Sequence, residues 1–93
     1  MSRRDSSRIT PVLQRQYREA AKGGDWVRCR ILAEQMRGLE RDNVLAAEAA
    51  YALGYALEML GDGAKATAAY EHALLIDRAH AKALRRLTRL KRD

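Results

Sequence analysis

Apolar residues recur every three or four positions along most of this chain, and the recurrence breaks at a few sites rich in glycine and aspartate. Thr10-Pro11 reads as a helix start, since a threonine hydroxyl can accept from a free backbone N–H and a proline at the first helical position has no N–H to leave unpaired. The first helix is expected over residues 11–22. Gly23-Gly24-Asp25 then stops it and caps the next, because glycine accepts the left-handed conformation that ends a helix and aspartate accepts from the N–H groups that begin one. In the second helix Trp26, Cys29, Leu32, Ala33 and Met36 share a face, and Gly38 with the polar residues 40–43 ends it. The third, residues 44–60, is alanine-rich and apolar in more than one stripe, so it should lie centrally with cover on two sides. Gly61-Asp62-Gly63 closes it. The fourth, residues 64–76, places Ala66, Ala69, Tyr70, Ala73 and Leu74 on one face. The fifth, residues 79–91, turns Ala83, Leu84, Leu87 and Leu90 inward and Arg85, Arg86, Arg89 and Arg92 outward.

Strand-like alternation is missing, so the fold class is all-α: about five helices joined by short turns in an antiparallel helix-pair array. The turn chemistry repeats, with Gly24-Asp25 and Gly61-Asp62 lying 37 residues apart. An internal period in the thirties marks a solenoid of stacked helix pairs. Residues 1–9 are polar, charged and aperiodic, and are expected as a flexible basic arm before a single domain of residues 10–93.

Residues 47–80 resemble one complete tetratricopeptide repeat, a helix pair of about 34 residues. Leu53 and Gly54 fall at the family's leucine and glycine, Leu57 takes the place of its tyrosine, and Ala66, Tyr70 and Ala73 fall at its small, aromatic and small positions. The packing reason is direct: Gly54, Ala66 and Ala73 let two helices approach, while Leu53, Leu57 and Tyr70 fill the space between them. Ala50 stands where tryptophan is typical and Arg78 where proline usually ends the repeat. Residues 10–43 resemble a degenerate repeat with Tyr17 at the glycine position, and residues 81–91 resemble the first helix of a third, serving as a capping helix.

The resemblance implies a non-enzymatic protein-protein interaction module, an adaptor or chaperone-like protein whose first helices line a concave groove. Carried over by position, that groove presents Gln14, Arg18 and Lys22 from helix one, Tyr51, Tyr55, Glu58 and Met59 from helix three, and Lys82, Arg85, Arg86 and Arg89 from helix five. Basic flanks around an aromatic centre suit an acidic or amphipathic peptide segment of another protein. Some family members clamp a terminal carboxylate; Lys82 and Arg86 match two of those positions, and Gln14, Arg18 and Ala52 depart from the other three. Tyr51 and Tyr55, four apart on one face, either line the groove or pack against neighbouring helices.

Composition and charge narrow the alternatives. A chain of 93 residues buries only about 60 to 65% of its unfolded surface, which leaves a thin core. Residues 1–30 hold eight Lys and Arg against three Asp and Glu, residues 31–76 three against seven, and residues 77–93 seven against two. Basic ends and an acidic middle favour acidic partners near the ends, or self-association. Arg85-Arg86, Arg89 and Lys91-Arg92 keep a nucleic-acid-binding reading open, although few aromatic residues are present for base stacking. A self-associating assembly or secretion chaperone subunit, for instance a homodimer, is the third reading, since fewer than three full repeats leave apolar ends uncovered.

No glycine loop for phosphates and no paired carboxylates point to catalysis, so no catalytic residue, metal site or cofactor is assigned. Cys29 reads as a small inward residue, Trp26 as the plug of the first helix pair, and His72 and His80 as isolated surface histidines. A lone cysteine gives no sign of an oxidising compartment, and neither a leader-like apolar stretch nor a membrane span is seen, so a cytoplasmic location is expected.

Overall fold

The computed structural model describes the backbone of residues 2–92 and the side chains of residues 10–92. Its helices are α1 (Ser2–Lys22), α2 (Trp26–Leu39), α3 (Asn43–Met59), α4 (Gly63–Ile76) and α5 (Ala81–Arg92), and no strand occurs among the described residues. Aspartates set three of the starts. Asp25, Asp42 and Asp62 cap α2, α3 and α4, each carboxylate accepting at 3.1 Å from the N–H three residues on. Gly24 and Gly61, with φ of 73° and 84°, supply the left-handed turns that precede two of these caps.

The first helix differs from expectation. Its backbone is helical from Ser2, so residues 2–9 continue α1 and Pro11 lies inside the helix. No glycine or second proline separates residues 2–9 from residue 10, and a proline removes one backbone bond without forbidding the turns before it. Met1 and Asp93 lie outside the described residues. At the other end Asp77 accepts from the Ala79 N–H, which holds residues 77–80 in a turn and delays α5 to Ala81.

Each helix packs antiparallel against its chain neighbours in a slab of 45 × 30 × 16 Å, with α3 covered on two sides by α2 and α4. Small side chains set the spacing: Ala33, Ala47, Ala50, Ala56, Ala66, Ala73 and Ala83 are fully buried, and Tyr70 and Cys29 are the largest side chains with no exposure. Gly54 faces the Tyr70 ring so closely that an added Cβ would lie 2.6 Å from two ring carbons. The close approach read from Gly54, Ala66 and Ala73 is therefore realised around Tyr70. Leu84, expected inward, is 53% exposed, because α5 has neighbours on one side only and buries Ala83 and Leu87 there.

Hydrogen bonds and shared cavities divide the slab into two faces. The front carries α1, α3 and α5: the Tyr17 hydroxyl donates to the Ala52 carbonyl at 2.8 Å, joining α1 to α3, and Arg86 of α5 reaches Glu58 of α3. The back carries α2 and α4, which flank a cavity floored by α3. No helix among the described residues is long and apolar enough to cross a membrane.

Candidate functional site

The front face is organised by an aromatic row along α3. Trp26, the first residue of α2, meets Tyr55 edge-on with ring centroids 5.4 Å apart. Tyr51 lies 6.4 Å from Tyr55, 5.7 Å from Tyr70 and 5.3 Å from the His80 ring. Residues 51 and 55 share a helix face one turn apart, so the row follows from α-helical spacing. Both tyrosines are half-buried, packed on one side and open on the other.

Arg86 is held in place from three directions. Its guanidinium carbon sits 4.7 Å above the centre of the Tyr55 ring, and Nη1 is 3.7 Å from Glu58. Partial burial works against its charge, but Glu58 and the Tyr51 hydroxyl outweigh it and hold the pKa above the ordinary arginine value. Glu58 also accepts from the Tyr70 hydroxyl at 2.7 Å. Burial, then the bond to Glu58, pushes the Tyr70 pKa far up, so this phenol keeps its proton and remains a donor.

Two cavities open on this face. One, of about 310 Å3, is lined by Tyr51, Lys82, Arg85, Arg86 and Arg89, with no carboxylate in the wall. Positions 82, 85, 86 and 89 share one face of α5 at spacings of three and four. The other, of about 250 Å3, lies between α1 and α3, with Gln14 and Arg18 opposite Glu48 and Ala52. The expected groove residues thus fall into two groups, Gln14 with Arg18, and Tyr51 with the four α5 cations. Tyr55 lies under Arg86, and Glu58 is committed to Tyr70 and Arg86. Lys22 and Met59 are exposed and line neither cavity.

His80 corrects the sequence reading of an isolated surface histidine. It is 7% exposed, and its Nδ1 accepts from the Ala83 N–H at 3.1 Å, which makes it the cap of α5. Its Nε2 lies 3.5 Å from Glu48 of α3 and has no hydrogen-bond partner among the described residues, and its ring packs on Tyr51 of the same helix. His80 therefore ties the basic helix to α3 beside both cavities. Its position three residues before Ala83 was the available signal, but histidine is an uncommon cap and its burial depends on Tyr51, on α3 and separated from it by the whole of α4. Cys29 is fully buried, its thiol directed at the Tyr17 carbonyl at 3.7 Å, and burial pushes its pKa up, away from the reactive thiolate.

Pattern reading did not foresee a cavity of about 470 Å3 on the back, between α2 and α4. Leu53, Leu57 and Leu60 floor it. Of its charged lining residues, Arg30 pairs with Glu34 at 2.7 Å and Lys65 with Asp62 at 4.0 Å, and Arg37 has no ion pair among the described residues. Such pairing suits an apolar occupant, so the back cavity lacks the chemistry that distinguishes the front.

Among the described residues no three His, Cys, Asp or Glu side chains gather in a metal-binding arrangement. The chain matches no protein-family model, no curated protein and no solved structure.

Proposed function

We propose that this chain is a tetratricopeptide-like interaction module, an adaptor or chaperone-like protein without catalytic activity, that holds an acidic segment of another protein across its front face. The observation that carries the reading is the cavity formed by Tyr51, Lys82, Arg85, Arg86 and Arg89, which gathers four cations and no carboxylate. Arg86 is oriented before any partner arrives, so its planar fork meets a carboxylate with little further loss of freedom. Lys82, Arg85 and Arg89 make no ion pair among the described residues and remain available. Tyr51 adds a rigid apolar surface beside them, and Gln14 and Arg18 extend the track toward α1. In this reading the protein works in the cytoplasm, where the buried thiol of Cys29 stays reduced.

Fluorescence anisotropy with labelled peptides tests the reading at ~0.15 M salt. An acidic peptide should bind, and its counterpart with lysine in place of glutamate should not. Lys82→Glu with Arg89→Glu should abolish binding and leave the circular dichroism spectrum unchanged, since both positions are exposed. A single-stranded oligonucleotide is the competitor. If it binds more tightly than the acidic peptide, is indifferent to Tyr51→Ala and is released by moderate salt, the nucleic-acid reading replaces this one.

A further inference from the structure

α5 assembles its charges against its own electrostatics. Between Asp77 and Asp93 the sequence holds no Asp or Glu, and Lys82, Arg85, Arg86 and Arg89 stand at helical spacings of three and four. Like charges at those spacings repel one another on a helix, and Lys82 lies in the first turn, where the helix dipole disfavours a cation. Lys91, near the end of α5, pairs with Glu71 of α4 at 3.8 Å, whereas the four stripe residues line one cavity of about 310 Å3 with Tyr51. Of these four only Arg86 has an acid in reach, Glu58 at 3.7 Å. The charges of Lys82, Arg85 and Arg89 are left unanswered among the described residues.

We propose that this cavity takes a phosphoryl group, carried on a phosphorylated side chain of the partner segment, so that capture depends on phosphorylation. The inference rests on the front-face reading and narrows it to one chemistry. Compactness favours a phosphoryl group over a run of carboxylates. Positions 82 to 89 span only ~10 Å of helix, so their long side chains can converge on one small anion. A carboxylate placed there cancels one charge and offers two oxygens. A phosphoryl group brings about −1.5 to −2 charges at neutral pH and three terminal oxygens, enough acceptors to meet donors from two successive turns at once. Arg86 supplies the fixed donor. Its guanidinium lies on the Tyr55 ring, and of its five N–H groups those not turned to Glu58 and the Tyr51 hydroxyl remain for a ligand.

A peptide fits the rest of the front better than a nucleic acid does. The cavity between α1 and α3 sets Glu48 opposite Arg18, so a strand of repeating phosphates crossing the face would meet a carboxylate there. A peptide can place an uncharged or basic side chain at that point.

Fluorescence anisotropy of the full chain at ~0.15 M salt tests the proposal with one acidic peptide carrying phosphoserine, glutamate or serine at its centre. The phosphoserine peptide should bind tighter than the glutamate peptide by roughly tenfold or more. Acidification to about pH 5.5, below the second phosphate pKa of about 6, should shrink that preference as the phosphoryl group gains a proton. His80, packed on Tyr51, and Glu58, beside Arg86, are common to both complexes, so the glutamate peptide controls for the protein's own titration. Arg85→Gln with Arg89→Gln should erase the preference and leave the circular dichroism spectrum unchanged, since both positions are exposed. Arg28→Gln with Arg41→Gln removes the same charge at exposed positions that line neither front cavity, and should keep it. Equal affinity for the phosphoserine and glutamate peptides overturns the phosphoryl assignment and leaves the acidic-segment reading standing, whereas binding of neither removes both. A preference that ignores acidification, or that falls equally in the two double variants, also overturns it. So does a single-stranded oligonucleotide that displaces the phosphoserine peptide at lower concentration than the unlabelled peptide does.

Discussion

The two faces of this slab are made from the same repeating turn chemistry and treat charge in opposite ways. On the front, four cations of α5 share a cavity with Tyr51, and Glu58, the nearest acid, is occupied by Tyr70 and Arg86. On the back, arginine and lysine stand beside their own carboxylates at helical spacing, around a leucine floor. The total charge of the chain, +6, says nothing of this division. A cation with a carboxylate three or four residues away is largely spent on its own helix, whereas one on a stripe of like charge awaits an outside partner.

The sharpest way to break the contrast is to remove what both faces rest on. Gly54→Val should push the Tyr70 ring aside, since even one added carbon meets it at 2.6 Å. Overpacking of that kind costs about 1 to 3 kcal/mol. Tyr70 underlies both Glu58 on the front and α4 on the back, so the melting temperature in calorimetry and the acidic-peptide affinity in anisotropy should fall together. Gly54→Ala tests the same contact more gently, with helix propensity returning about 1 kcal/mol.

A second variant separates the faces. Tyr70→Phe keeps the ring against Gly54 and deletes the donor to Glu58, at a cost of about 1.5 to 3 kcal/mol for a bond to a charged group. Peptide affinity on the front should drop because Glu58 loses its anchor and Arg86 its fixed position, while the circular dichroism spectrum stays as in the parent chain.

Smaller still is the cap of α5. His80→Ala should cost about 1 kcal/mol, and His80→Asn, which keeps an acceptor near the Ala83 N–H, should recover part of it. Hydrogen exchange should show the loss confined to the first turn of α5, beside Lys82 and Arg85, with α2 and α4 protected as before.

The mildest effect is alkaline. Burial raises the Tyr17 and Tyr70 pKa values well above their ordinary value of about 10, so their contribution is complete below that pH. It is lost progressively as pH rises above it, because the unfolded chain ionises there and the folded chain resists. Melting temperature should therefore fall from about pH 10 upward, and less steeply in Tyr17→Phe, which removes one of the two resisting phenols.

The helices after the first, their glycine turns and the Asp25 cap were legible in the chain because each depends on residues within one or two turns of itself, whereas Asp42 and Asp62 read as helix ends and prove to be caps of the helices that follow. The Gly54–Tyr70 contact was legible as well, since the spacing of small and aromatic positions constrains a helix pair. Arg86 and its neighbours could be placed on one face of α5, but not over Tyr55, because that pairing joins residues two helices apart. His80 and Leu84 were assigned to the wrong environments for a related reason: the side of α5 that is covered depends on the angle at which it leaves the turn at residues 77–80. The back cavity was invisible to periodicity, which identifies the buried stripe of each helix and not the space left between two of them. Pro11 misled by resembling a start, since the same residue is tolerated within a helix at the loss of one backbone bond.

The front-face assignment is tested most directly by following the backbone amides of the labelled chain in nuclear magnetic resonance while an acidic peptide is added. Shifts concentrated at Gln14, Arg18, Tyr51, Tyr55 and residues 82–89, with Ala64, Ala68 and Leu75 unmoved, are the expected result. Shifts centred on α2 and α4, or none at all with a peptide that anisotropy shows to bind, would contradict it.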